Sequence, residues 1–170
     1  MYGSQVKKIS GAEPATTNNR MEIQAAMRAL GALREPCAVE FFTDSEYLRM
    51  GITQYVKLWK RTGWKTKDKQ PVKNRDLWTA LDQLTVGHEI AWNWLKGHAG
   101  HAENERCDLL ARQAIAELKK RHTPEQLGRL LEDFKRCGPS LASPGINAPM
   151  GQPQLGLVAA ESVLQRGTAP

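Results

Sequence analysis

Three acidic residues in this chain of 170 residues have the type and spacing to act together: Glu22 in Thr17-Asn18-Asn19-Arg20-Met21-Glu22, Asp44 in Phe41-Phe42-Thr43-Asp44-Ser45, and Asp108 in Glu103-Asn104-Glu105-Arg106-Cys107-Asp108. Each falls where an element is expected to begin, end or turn a face, so folding can carry the three carboxylates to one point. Mg2+ and Mn2+ are hard cations that prefer oxygen ligands, and they need few from a protein when a phosphate supplies the others. The substrate class implied by such a cluster is a phosphodiester. Taken singly, any of these acids is more often a solvated surface charge, and Asp108 also fits a helix edge, with Glu105 on the neighbouring turn as an alternative ligand. His98 and His101 have the spacing of a metal pair, but no Cys-x-x-Cys pair and no further nearby histidine accompanies them to complete a zinc site.

The elements that must position these groups are legible from periodicity and punctuation. Residues 5–12 alternate weakly as a strand. Thr16-Thr17-Asn18-Asn19 offers several N-caps, after which Ile23, Ala26, Met27, Leu30 and Leu33 recur at helical spacing and Pro36 marks the exit. Glu22 is then expected in the first turn. Residues 39–43 form a β-rich run, so Asp44 falls at the C-terminal end of a strand, where open α/β sheets place ligand sites. Residues 45–61 read as a short helix, a break at Gly51, and a second helix carrying Tyr55, Val56 and Trp59. Residues 63–73 read as an exposed basic loop and residues 76–86 as a helix with Leu77, Trp78, Leu81 and Leu84 on one side.

Residues 89–95 alternate as a strand with Ile90, Trp92 and Trp94 on one face, read as core. A loop at residues 97–101 precedes a helix over residues 102–120, whose buried stripe is expected to be Cys107, Leu110, Ala111, Ala114 and Leu118, with Asp108 at its edge. Residues 124–136 add an amphipathic helix with Leu127, Leu130, Leu131 and Phe134 at i, i+3, i+4 and i+7. From residue 138 onward, five Gly and five Pro among 33 residues, with only Glu161 and Arg166 charged, argue for a disordered tail. Its late apolar run, residues 155–164, is a candidate docking motif.

An apolar content of 41% suits one folded domain with a buried core plus appendages. There is no apolar run of about 18 residues, and residues 1–10 lack a signal-peptide stretch, which together read as a cytoplasmic protein. The three cysteines, Cys37, Cys107 and Cys137, are widely spaced without a Cys-x-x-Cys pair and read as reduced thiols, two of them filling the core. The net charge is +6, and residues 56–75 hold eight basic residues against one acid, leaving the rest close to neutral. A basic block inside a near-neutral domain reads as a patch for a polyanion, against the plainer alternative of a solvated face.

Residues from about Lys8 to Lys120 resemble bacterial type 1 ribonuclease H. The resemblance rests on Thr-Thr-Asn-Asn-Arg-Met-Glu at 16–22, Thr-Asp-Ser at 43–45, Gly-Trp-Lys-Thr at 63–66, and Pro-Val-Lys-Asn at 71–74 with Asp76-Leu77-Trp78. It extends through Trp94-Leu95-Lys96-Gly97-His98-Ala99-Gly100-His101 and Glu103-Asn104-Glu105-Arg106-Cys107-Asp108. Several long motifs in one order are far more specific than any one of them. The fold it implies is α/β, a ribonuclease H-like mixed sheet flanked by helices, with the N-terminal hairpin largely missing and an extra C-terminal helix and disordered tail added. The domain division expected is 1–121 for the ribonuclease H-like domain, 122–136 for the additional helix and 137–170 for the tail.

Members of that family cut the RNA strand of RNA/DNA hybrids with two divalent ions held by four carboxylates. The resemblance implies Glu22, Asp44 and Asp108 as ligands of Mg2+, for which Mn2+ can substitute, and His98 as the histidine that assists proton transfer or product release. The family's opening strand ends in Asp-Gly and brings the first bridging aspartate; it has no counterpart in the written sequence, and no Asp precedes Asp44 at all. A bridging ligand fixes the spacing of two ions about 3.5 to 4 Å apart, so weak metal binding and a reduced rate are expected. The written start is accordingly expected to be internal, with about 25 to 30 residues upstream, a length set by the family's first hairpin.

For the substrate, the resemblance implies Asn18, Asn19 and Glu22 at the RNA backbone and Thr17 at a DNA phosphate. It implies Tyr55, Trp59, Lys60, Trp64, Lys65, Lys69, Lys73 and Trp78 in a basic handle whose lysines meet DNA phosphates and whose tryptophans brace the protrusion. Glu46 stands where the family often has glutamine and Tyr55 where it often has tryptophan. The function expected is endonucleolytic hydrolysis of the RNA strand of a hybrid, impaired here, by a monomer with no membrane association. The alternative is a catalytically silent hybrid-binding module.

Overall fold

The structure, a computed structural model, describes residues 7–95 and 102–138. In chain order the elements are α1 (Asn18–Leu30), β1 (Ala38–Thr43), α2 (Glu46–Met50), a π-helical turn (Gly51–Tyr55), α3 (Val56–Arg61), α4 (Arg75–Thr85), β2 (Glu89–Trp94), α5 (Ala102–Arg121) and α6 (Pro124–Cys137). The α/β class expected from the sequence holds, and the described sheet is one parallel pair, with Ala38 opposite Glu89 and Thr43 opposite Trp94. Val39 and Phe41 point from β1 into a core completed by Ile23, Ala26 and Leu30 of α1, Leu48 of α2, Ile52 and Val56 of the π-turn and α3, and Leu77, Trp78 and Leu81 of α4. Phe41 also meets Trp92 across the strand pair, with ring centroids 4.5 Å apart.

Local chemistry sets the boundaries. Thr17 caps α1 by accepting the Arg20 N–H at 3.4 Å. The helix therefore starts at Asn18, and Glu22 is its fifth residue, just past the first turn where the sequence pattern puts it. At the other end the Gly31 N–H closes on the Met27 carbonyl at 2.9 Å, and the Ala32 and Leu33 amides tighten into i→i−3 bonds, so α1 stops well before Pro36. Glycine is a poor helix former, which makes this the natural stopping point. Residues 7–12 form no strand, and only Ile9 has bridge character; a single bridge fixes no ladder.

The break expected at Gly51 is a π-turn, in which the Val56 N–H reaches back to the Gly51 carbonyl. Its cause is a close approach: any Cβ at Gly51 would collide with the six-membered ring of Trp78, a side chain with no exposed surface. Such one-turn widenings are frequent at functional sites. α5 differs from expectation. Of its proposed stripe only Leu118 is buried, while Cys107, Leu110, Ala111 and Ala114 are half-covered. α6 starts with a full capping box between Thr123 and Gln126, yet buries no residue. Its stripe is amphipathic in pattern but has no core to enter, because the core cluster is drawn from α1–α4 and the two strands.

Candidate functional site

Asp44 follows the last residue of β1, and its main chain is fixed on several sides. The Leu95 N–H donates to the Thr43 carbonyl at 2.9 Å, the Ser45 N–H to Thr43 Oγ1 at 3.1 Å, and the indole Nε1–H of Trp94 to the Asp44 carbonyl at 3.2 Å. That last contact explains why Trp94 is half exposed rather than in the core where strand alternation puts it: its polar edge must reach the strand end. Ser45 is 7% exposed and works in two directions. Its hydroxyl donates a short hydrogen bond to Glu22 Oε2, and the same oxygen accepts the Leu48 N–H at 3.0 Å to cap α2.

Glu22 is half-buried on α1. Burial raises its pKa above the ordinary 4.5, the negative charge of Asp44 adds to the rise, and the Ser45 hydrogen bond opposes it without cancelling it. The Glu22 carboxylate thus lies within the electrostatic reach of Asp44. An arrangement that disfavours its own ionisation is one a cation would relieve, and hard oxygen donors suit Mg2+ or Mn2+. Glu22 and Asp44 therefore fit a divalent ion in donor type and electrostatics.

Asp108 is not brought to them. It lies on α5 with its side chain 46% exposed, paired with Arg112 one turn on at 2.9 Å. Among the described residues no group of three or more His, Cys, Asp or Glu side chains is placed to hold a metal ion. His98 and the 97–101 loop lie outside the described residues, as do the 139–170 tail and its apolar run.

The substrate residues inferred from the motifs fall on three surfaces. Thr17, Asn18 and Asn19 are exposed at the start of α1. Tyr55 stacks on Trp59 with centroids 5.7 Å apart, flanking a shallow cleft also lined by Glu46, Tyr47, Met50 and Gly51. The basic loop is a small antiparallel turn, with Lys65 bridged to Pro71, the Val72 N–H on the Trp64 carbonyl at 3.0 Å, and the Thr66 N–H on the Gln70 carbonyl at 2.8 Å.

Lys65, Lys69 and Lys73 are exposed on this loop, while Lys60 is held by Asp82 at 2.7 Å. Arg75 lies 5.9 Å from the centre of the Trp64 ring. Trp78 has no exposed surface, so it acts by packing under Tyr47 and Trp59 and not by contact with a ligand.

Sequence reasoning passed over a polar network behind these surfaces. Arg20, 2% exposed, donates to both carboxylate oxygens of Asp76, at 3.1 and 2.7 Å, and to Asn74 Oδ1 at 3.3 Å. Asn74 Nδ2 donates in turn to the Tyr47 hydroxyl at 3.1 Å. Desolvation is the largest influence on Asp76 and raises its pKa, but the hydrogen bonds and charge of Arg20, with the amides of Leu77 and Asp76 itself, outweigh it and hold the group below 3.8. The signal for this network was a charged residue in the middle of a helical motif at a position that periodicity assigns to the buried side, three residues before Ile23.

The RNase H family model matches residues 1–116. A ribonuclease H of Mesorhizobium japonicum is 56% identical over 119 residues, covering 70% of this chain and 67% of that protein. One from Halorhodospira halophila is 56% identical over 117 residues, covering 69% and 78% respectively. Among solved structures, LC9-RNase H1, a type 1 RNase H with the type 2 active-site motif, superposes with a TM-score of 0.58 at 36% identity, covering 68% of this chain and 57% of that one.

Proposed function

This chain belongs to the ribonuclease H family, and from that premise we propose that it acts on RNA/DNA hybrids, its fold serving hydrolysis of the RNA strand. The observation that carries the reading is the hydrogen bond from Ser45, the residue after Asp44, to the Glu22 carboxylate, beside the exposed Thr17-Asn18-Asn19 start of the same helix. Glu22 and Asp44 would hold a divalent ion, Mg2+ by preference with Mn2+ as substitute, and Asp108, by its place in the motif, would be the third ligand once α5 brings it to them. Such an ion supplies Lewis-acid polarisation of the phosphate and a lowered pKa for attacking water.

The protein's own share is positioning. Ser45 orients the Glu22 carboxylate, and Trp94 fixes the main chain from which Asp44 extends. Asn18, Asn19 and Glu22 meet the RNA strand, where the 2′-hydroxyl distinguishes RNA from DNA. Thr17, Tyr55, Trp59 and the lysines at 65, 69 and 73 meet the DNA strand, mainly at phosphates, which add affinity without sequence choice. His98 assists proton transfer or product release. Catalysis is weak in the chain as written, because residues 1–43 contain no aspartate to join the set. The working unit is residues 1–121, acting as a monomer in the cytoplasm with residues 122–170 as appendages; among the described residues no helix is long and apolar enough to cross a membrane.

A second reading, a hybrid-binding module without turnover, is favoured by one observation: the binding surfaces are exposed and formed, whereas among the described residues no three carboxylates are placed to hold a metal ion. Cleavage of an end-labelled RNA/DNA hybrid in Mg2+ and in Mn2+ separates the two. Three proteins are compared: this chain, its Asp44→Asn variant, and the chain preceded by a donor Asp-Gly hairpin. Asp44-dependent cleavage that rises sharply with the hairpin is the expected result. Binding with no cleavage by either the chain or its extended form would establish the silent module instead.

A further inference from the structure

We infer that Arg20 is a positioning residue whose network with Asp76, Asn74 and Tyr47 sets the basic loop in register with the acidic pair, so that one hybrid engages both at once. The inference rests on the hybrid-binding reading and extends it to residues that touch no ligand. Arg20 lies two positions before Glu22 on α1, and Tyr47 lies three after Asp44, on α2. Both reach the same point, where the basic loop returns into α4 at Asn74 and Asp76.

Asn74 shows that this point is built for the network. It is the N-cap of α4, a position whose side chain ordinarily accepts a hydrogen bond from its own helix, yet it makes no such cap and adopts a left-handed φ of 57°. Its amide is committed instead to Arg20 on one side and Tyr47 on the other. Trp64 and Lys69, at φ 62° and 58°, are left-handed too, so among the described residues the three non-glycine positions with positive φ all fall in or at the end of the basic loop. Strain of this kind persists only where surrounding structure over-determines it. The bidentate Arg20–Asp76 pair, with its guanidinium buried and its carboxylate at the surface, is the two-pronged contact able to do so, since a planar guanidinium fixes direction where an ammonium fixes only charge.

Without the network the lysines keep their charges but lose their fixed offset from the Glu22–Asp44 pair, and fewer phosphates are met simultaneously. The test measures binding of a short RNA/DNA hybrid to the full chain without added metal, across a series of salt concentrations, for the unaltered chain, Arg20→Lys and Tyr47→Phe. Tyr47→Phe removes one hydroxyl and keeps the ring on Trp78, so it reports even where Arg20→Lys lowers the folded fraction. Each phosphate contact contributes about 0.9 to the slope of log K against log salt in B-DNA, so both variants are expected to show slopes shallower by about one, with affinity roughly tenfold weaker. A merely structural role would lower the melting temperature and leave the slope of the folded protein unchanged. Unchanged slopes in both variants, with firm binding by the unaltered chain, would overturn the inference alone. No binding by the unaltered chain would overturn it together with the reading on which it rests.

Discussion

At the scale of single residues, the site turns on side chains that answer two demands at once. Ser45 is a helix cap and also the donor to Glu22, and Ser45→Ala removes both. Loss of a serine cap costs about 1 kcal/mol by itself. The further cost depends on pH, with a definite sign. Glu22 has its pKa raised above 4.5, first by burial and then by Asp44, while the Ser45 hydrogen bond favours the charged form. In the unaltered protein, stability therefore declines as pH rises from 4.5 through the higher folded value. In Ser45→Ala the decline is expected to be steeper, so urea midpoints of the two proteins should differ most near neutrality and narrow below pH 4.5 to the gap left by the lost cap alone. A gap that stays constant with pH would mean that the hydroxyl serves only as a cap. Glu22 and Asp44 were legible because each lies in a long motif. Ser45 was legible only as a cap-type residue, since nothing in a linear pattern shows which side chain 23 positions earlier will come to face it.

At the scale of elements, periodicity located α1, α4 and both strands to within a residue or two at most ends, because each buries one face against the same core. It failed at the basic loop, whose hairpin form depends on left-handed Trp64 and Lys69, residue types that do not advertise positive φ. It found the break at Gly51 but not its form, because the reason is the Trp78 ring 27 positions later in the chain. Gly51→Ala places a methyl group into that ring. Overpacking of this kind costs about 1–3 kcal/mol, measurable by chemical denaturation. Trp78→Phe in the same background should recover part of the loss by removing the ring that is struck. Recovery absent from the double variant would show that the π-turn is held by something other than this contact.

For the molecule as a whole, residues 7–95 hold the core and the hydrogen bond that ties Glu22 to Ser45, while α6 buries no residue. Ending the chain after Thr123 is accordingly expected to shift the melting temperature by less than about 3 °C, the size of effect typical where no buried contact is removed. A larger drop would show that α6 or the tail shields the core. The placement of Asp108 was the least legible part of the site, because it depends on how α5 is seated, and the α5 stripe is only half-covered among the described residues. The parallel sheet also has a consequence for how the protein is born. Its two described strands pair across 51 positions of sequence, from Cys37 beside β1 to His88 beside β2, so this ladder cannot close until α2, α3 and α4 have been synthesised between them. A ribosome adding about 5–20 residues per second exposes Glu22 and Asp44 seconds before it exposes Trp94. Glu22 and Asp44 therefore leave the exit tunnel on loosely held chain, and the indole that pins the second of them follows 50 positions later, so both acids are made before the contact that fixes Asp44 can form.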